Sequence, residues 1–307
     1  MSENTWFLGI DIGGQSFKML GCEENIEDHS EFFSSPTLER PFGEVLLDMQ
    51  LKLNKLQQSG YKGAPKRIGV GFPGIVSPEG QIIECPNMPH WKGENLKSSL
   101  EEALGAEVRI ENDANCAALA EGHALKDDLS PCTLFLAFGT GLGGGILFDG
   151  KVHHGLQGFG GELGHMSIER KGRLCGCGNQ GCLEQYFSTN GIVNTAMKTG
   201  LFTEPPVVRD LFIDAIAEKQ PAQAIVEKAI GHLSVGIANF CKILDPGMIV
   251  LGGGLTQERS GEYLVEKLKE ILPHNIAFSA YKLPEIRISA YQGRAGVLGT
   301  LVLASQG

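Results

Sequence analysis

Between Gly161 and Tyr186 the chain carries one histidine and three cysteines, His165, Cys175, Cys177 and Cys182, separated by steps of ten, two and five residues. Glycines fill the gaps between the thiols, so the backbone can bend round a small ion. One imidazole and three thiolates close a tetrahedral structural zinc site and leave no position for a substrate. Such a metal is a staple, worth on the order of 10 kcal/mol to local folding. A disulfide or plain buried thiols is the competing reading, and clustered Cys and His in an intracellular chain favour the metal. The spacing is not that of a zinc finger. Glu162 and Glu184 flank the cluster, so the ion would hold two carboxylates where a polar ligand can be gripped.

The 307 residues suggest two domains, and a hydrophobic content of 42% is ample for packed cores. A net charge of -10 argues against nucleic acid or an anionic membrane as partner. The N-terminus lacks the basic and apolar regions of a signal peptide, and no apolar run approaches the ~20 residues of a membrane span. The other five cysteines, Cys22, Cys85, Cys116, Cys132 and Cys241, are scattered, as suits a reducing cytoplasm.

Three strand-to-glycine units recur. Trp6–Ile10 reads as a strand entering the turn Asp11-Ile12-Gly13-Gly14, with Phe17–Cys22 returning as a hairpin. The paired glycines let backbone N–H groups face an anion, and Asp11 can hold a hydrated magnesium ion. Thr133–Phe138 enters Gly139-Thr140-Gly141-Leu142-Gly143-Gly144-Gly145, with Ile146–Phe148 returning. This echo of the first unit suggests a duplicated fold with phosphate held between the lobes. It is not a P-loop, because no Gly-Lys-Ser/Thr follows. Met248–Leu251 ends in Gly252-Gly253-Gly254, suited to a nucleotide base and ribose. Between these units, apolar spacing predicts helices over Phe42–Leu56 and Pro221–Leu244. Arg67–Phe72 reads as a strand ending in Pro73-Gly74, and Asn87 stands in a stiff loop with Pro86, Pro89, His90 and Trp91. Val108–Ile110 is a strand and Cys116–Leu125 a helix. Asn112 and Asp113 fall between strand end and helix start, where α/β folds place ligands. The bland alternative is that Asp113 or Asn115 caps the helix. Ile286–Ser289 is a last strand and Gly293–Ala304 a terminal helix.

Taken together, Asp11-Ile12-Gly13-Gly14, Glu111-Asn112-Asp113-Ala114-Asn115, the Gly139–Gly145 run, Gly161-Glu162-Leu163-Gly164-His165 and the Cys175–Glu184 cluster resemble the ROK family (repressor, open reading frame, kinase). That family lies within the actin-like, hexokinase-like ATPase superfamily, and the resemblance covers nearly the whole chain. It implies an α/β, two-lobed actin-like ATPase fold, a duplicated ribonuclease H-like architecture, with a structural zinc site in the second lobe. The expected lobes are residues 1–115, with helix 293–307 packing back, and residues 116–292, the two closing over a sugar. The implied activity is ATP-dependent, magnesium-requiring phosphorylation of a hexose, with Asp113 as the base that takes the proton from the attacking sugar hydroxyl. Gly74, Asn87, Asn112, Asp113, Glu162, His165 and Glu184 resemble the sugar ligands, His165 serving zinc through one ring nitrogen and sugar through the other. Asp11, Gly13, Gly14, Gln15, Lys18, Thr140, Gly141 and Gly253 resemble the nucleotide and magnesium contacts. Gln15 departs from the family's usual Thr, which bears on phosphate geometry and donor choice. Glucose at its 6-hydroxyl is the first expected acceptor, with N-acetylmannosamine or N-acetylglucosamine next, then fructose. The resemblance further implies a cytoplasmic homodimer. A sugar-sensing regulator is the non-enzyme alternative. A repressor's helix-turn-helix module is not expected, since the first glycine motif begins by residue 11.

Overall fold

The computed structural model describes residues 6–23 and 25–306. It divides into two units, Met1–His123 with Arg294–Gly307, and Ala124–Gly293. The division therefore falls at the end of the helix that follows Asp113 and not at its start.

The first unit contains β1 (Phe7–Ile12), β2 (Ser16–Cys22), β3 (Phe33–Pro36), α1 (Phe42–Gln58), β4 (Arg67–Phe72), the small hairpin β5 (Ile75–Val76) and β6 (Ile82–Glu84), α2 (Leu96–Leu104), β7 (Val108–Asn112) and α3 (Asp113–Ala124). Its five-stranded sheet runs β3-β2-β1-β4-β7. β1 and β2 form the expected antiparallel hairpin, with Asp11 opposite Lys18, while β4 and β7 continue the sheet in parallel. Asp11 and Ile12 belong to the strand and not to the turn, which is confined to Gly13–Gln15.

The second unit contains β8 (Cys132–Phe138), β9 (Leu142–Phe148), β10 (Lys151–Val152), α4 (Thr189–Met197), α5 (Val208–Ile216), α6 (Ala222–Leu244), β11 (Met248–Gly253), α7 (Arg259–Ile276) and β12 (Glu285–Ile288). Its sheet, β10-β9-β8-β11-β12, repeats the first in order and sense: two antiparallel pairings, then two parallel ones. The central strands β8 and β11 are apolar on both faces because both faces are covered, as parallel sheets require. Helix α6 buries Val226, Ile230, Leu233, Ile237 and Phe240, the stripe its spacing predicts. Helices α2, α4, α5 and α7 carry no expectation from the sequence.

The terminal helix α8 (Ala295–Ser305) is apolar all round and buried along nearly its whole length. It lies directly on the first sheet because the strands beneath it bear glycines. A Cβ on Gly69 would run into the Thr300 carbonyl, and one on Gly9 would meet Thr300 Oγ1 at 2.5 Å. Gly299 in turn sits against the backbone of Cys116 on α3. Among the described residues no helix is long and apolar enough to cross a membrane.

Candidate active site

In the first unit the candidate residues gather at the ends of β1, β4 and β7. Asn112 closes β7, and Asp113 opens α3. The Asn112 Oδ1 accepts from the N–H groups of Ala114 (2.9 Å) and Asn115 (3.3 Å), so Asn112 caps the helix. Asp113 shares the Ala114 N–H with it, so the capping alternative holds in part for Asp113. Asp113 Oδ1 accepts from the Ala114 N–H at 2.8 Å, at the helix N-terminus, a place that favours its anion. Glu111 braces the junction: its Oε1 accepts from the Asn112 N–H (2.8 Å) and from Asn115 Nδ2 (3.0 Å).

Asp11 lies in a glycine notch. A Cβ on Gly296 would stand 2.9 Å from its Oδ2, and one on Gly71 would stand 3.6 Å from its Oδ1. Burial pushes its carboxyl above the usual carboxylate range, against the pull of the Lys18 ammonium, whose Nζ is 3.9 Å from Oδ2. A cation at this carboxylate would relieve that burial cost, which fits a hydrated magnesium ion held through one acid.

One expectation for the glycines changes. The Gly13 N–H donates to the Ser16 carbonyl (2.9 Å), so it closes the hairpin and is not one of the donors an anion would use. Gly14 is required by Asn87, since a Cβ there would stand 2.7 Å from Asn87 Cβ. Gly74 serves a close approach to the chain itself: its side faces the Glu84 carbonyl at the end of β6 and the Cys85 side chain just after it. Gln15 is exposed, and its carbonyl accepts from the Thr37 N–H (2.9 Å). Buried Thr37 also donates its hydroxyl to the Gly13 carbonyl, bolting the turn to the segment after β3. Thr37 had no signal in the sequence, because an isolated Thr in a loop carries none.

In the second unit, His165, Cys175, Cys177 and Cys182 bring their ligand atoms within 4.8 Å of one another. Cys177 Sγ is 3.6 Å from Cys182 Sγ, and Cys175 Sγ is 3.5 Å from His165 Nδ1. A tetrahedral ion with bonds of about 2.3 Å to sulfur and about 2.0 Å to nitrogen sets its ligands about 3.8 Å (S···S) and about 3.5 Å (N···S) apart. The residues thus fit a four-coordinate structural metal. Burial pushes the Cys175 thiol up, and the Asn179 backbone N–H pulls the exposed Cys177 thiol down.

His165 turns its other nitrogen away from the sulfurs: Nε2 is 3.9 Å from Glu162 Oε2. Glu184 connects the cluster to the glycine turn. Its Oε1 accepts from Cys175 Sγ (3.0 Å), and its Oε2 is 3.5 Å from the Leu142 N–H. A Cβ on Gly141 would stand 2.8 Å from that Oε2. Thr140 is exposed in the turn, and the Gly139 carbonyl accepts from the Thr189 N–H at the start of α4 (2.9 Å).

Several glycines of this unit serve packing. Gly164 faces the Leu142 carbonyl, and a Cβ on Gly144 would meet Leu163 Cδ1 at 2.9 Å, so β9 and the Gly161–His165 segment interlock. In the third glycine run, the Phe135 ring fills the side of Gly252. Gly253 takes a φ of 90° and backs onto Phe138, and only Gly254 faces open space.

The model of the ROK family matches residues 7–307. An N-acetyl-D-glucosamine kinase of Mannheimia succiniciproducens is 34% identical over 308 residues, covering 96% of this chain and 98% of its own. A glucokinase of Halalkalibacterium halodurans is 33% identical over 327 residues, covering 96% and 93%. The crystal structure of a ROK hexokinase from Thermus thermophilus superposes with a TM-score of 0.85 at 31% identity, covering 98% of both chains. A duplicated sheet of this order, an acid at the β7–α3 junction and likeness to sugar kinases along almost the whole chain agree, and the chain belongs to the ROK family, as a sugar kinase of the actin-like ATPase fold.

Proposed function

We propose that the protein phosphorylates a glucose-configured hexose at its 6-hydroxyl with ATP, N-acetylglucosamine ahead of glucose. The relatives' names move N-acetylglucosamine ahead of glucose, which led on sequence alone. The observation that carries the reading is Asp113, a carboxylate fixed by a backbone N–H where a strand meets a capped helix. Asp113 takes the proton of the sugar hydroxyl as its oxygen attacks the terminal phosphorus. Asn112 has committed its carbonyl to the cap, so its amide N–H group is the part that meets the sugar. Gly74 and Asn87 make further sugar contacts. Glu162, His165 through Nε2, and Glu184 take hydroxyls, and these three suit a sugar with several adjacent hydroxyls.

Gly14, Gln15, Lys18, Thr140, Gly141 and Gly253 hold the nucleotide, Gly14 through a backbone that Asn87 keeps bare, while Gly13 shapes the turn. Magnesium bound with ATP near Asp11 supplies charge neutralisation at the phosphates. The ion at His165, Cys175, Cys177 and Cys182 is zinc, and its role is structural. The protein works in the cytoplasm as a homodimer, for which light scattering should give twice the chain mass.

The test is ADP release with magnesium-ATP across N-acetylglucosamine, glucose, N-acetylmannosamine, mannose and fructose. Turnover on N-acetylglucosamine above glucose is expected. Asp113→Asn should lower kcat by about 10²–10⁴-fold while sugar binding persists. Sugar affinity without ADP release from the wild type would favour a sensor.

A further inference from the structure

On its N-terminal side Glu184 follows Cys182 of the His–Cys cluster by two residues, and its Oε1 accepts from Cys175 Sγ of the same cluster. Leu183 between them fills a notch at Gly236 of α6, where a Cβ would stand 2.5 Å from Leu183 Cδ2. What holds its C-terminal side is Arg173. The guanidinium of this residue reaches out of the metal loop and donates through Nη1 to the carbonyls of Gln185 and Gly191 (2.9 Å for the second). Nη2 donates to Thr195 Oγ1 at 2.9 Å. These acceptors lie immediately after Glu184 and in the first two turns of α4. The guanidinium carbon stands 4.7 Å from the centre of the Tyr186 ring, which stacks in turn on His232 of α6 at 4.6 Å. The Arg173 main chain joins in: its N–H donates to Tyr186 Oη (2.9 Å), and its carbonyl accepts from the Gly181 N–H (2.8 Å). Ser188 completes the bracket, its hydroxyl donating to the Glu184 carbonyl at 2.7 Å.

We infer that Arg173 is a positioning residue for Glu184: its planar fork ties the metal loop to both ends of the Gln185–Gly191 segment and so sets where the Glu184 carboxylate lies against Gly141 and Leu142. A metal at His165, Cys175, Cys177 and Cys182 would fix only one end of that segment. The guanidinium spreads its donors over two nitrogens and so reaches three separated acceptors, whereas an ammonium donates from a single point. The inference rests on the reading of Glu184 as a sugar ligand given above.

The experiment compares wild type, Arg173→Met and Arg173→Lys, each loaded with zinc, in the ADP-release assay with sugar and ATP varied separately. Methionine keeps the stem over Tyr186 and removes the donors; lysine keeps the charge and one point of contact. Expected is a sugar KM raised roughly tenfold in Arg173→Met, since small misplacements of binding groups cost that much or more, and a smaller rise in Arg173→Lys. The ATP KM should stay within about twofold and zinc at about one per chain. A lower melting temperature with an unchanged sugar KM in both variants, or in Arg173→Lys if Arg173→Met does not fold, would overturn the assignment and leave the kinase reading intact. A wild-type protein that turns over no sugar would overturn the kinase reading itself, and with it the sugar at Glu184.

Discussion

Replacing Gly69 by alanine should separate the first unit's sheet from its terminal helix. The added Cβ would overlap the Thr300 carbonyl oxygen and come within 2.9 Å of its carbon and 3.0 Å of the Ala304 nitrogen. All three obstacles are backbone of α8, so no side chain can swing aside. The helix must lift by roughly 1 Å or more for ordinary contact, opening the layer formed by Val297, Leu298, Leu301 and Ala304, all buried. Overpacking of a well-filled core costs about 1–3 kcal/mol, and a rigid obstacle on both sides puts this case at the upper end, about 3 kcal/mol. At about 2–4 °C per kcal/mol, the melting temperature of that unit should fall by roughly 6–12 °C. Gly231→Ala is the matched control. Gly231 lies in the middle of α6 with nothing within 4 Å of the added Cβ, and the change should stabilise by about 0.4–1 kcal/mol. The assay is calorimetry and urea unfolding of both variants beside wild type. A Gly69→Ala protein as stable as wild type, or equal effects of the two substitutions, would refute the packing argument.

Elemental analysis should find about one zinc per chain, and Cys182→Ser or chelation should lower the second unit's melting transition; full stability of metal-free protein would remove the staple. Asp11→Asn, measured in chelator, should raise stability at neutral pH. Burial raises the folded carboxyl's pKa, so the charged form is destabilised above the unfolded pKa; the gain should vanish as pH falls below the ordinary carboxylate range, where both states hold the proton. A loss of stability at neutral pH would show that the Lys18 attraction outweighs burial.

The sequence carried the periodic and the chemical parts of the molecule. The hairpins at Asp11–Lys18 and Phe138–Phe148 were legible because apolar runs broken by glycines have few other uses. Helices α1 and α6 were legible from their stripes. Helices α2 and α5 are short, and α4 begins inside a glycine-rich loop, so their patterns do not stand out. Asn112 and Asp113 were located at the right junction, but which of them caps the helix depends on where β7 ends, and apolar residues stop before that point.

By itself the sequence determined the His165, Cys175, Cys177 and Cys182 cluster, the two strand-turn-strand units and the acid at the strand-helix junction, because each is a local pattern of residue types. Tertiary structure alone decided what each glycine is for. Gly13 and Gly14 look alike on the page, yet one closes a hairpin and the other makes way for Asn87. It also decided that Thr37 secures the turn after β1 and that Arg173 bonds on either side of the segment after Glu184. The reason is physical: a missing Cβ or a buried donor has meaning only against the atoms it faces, and those atoms come from distant parts of the chain.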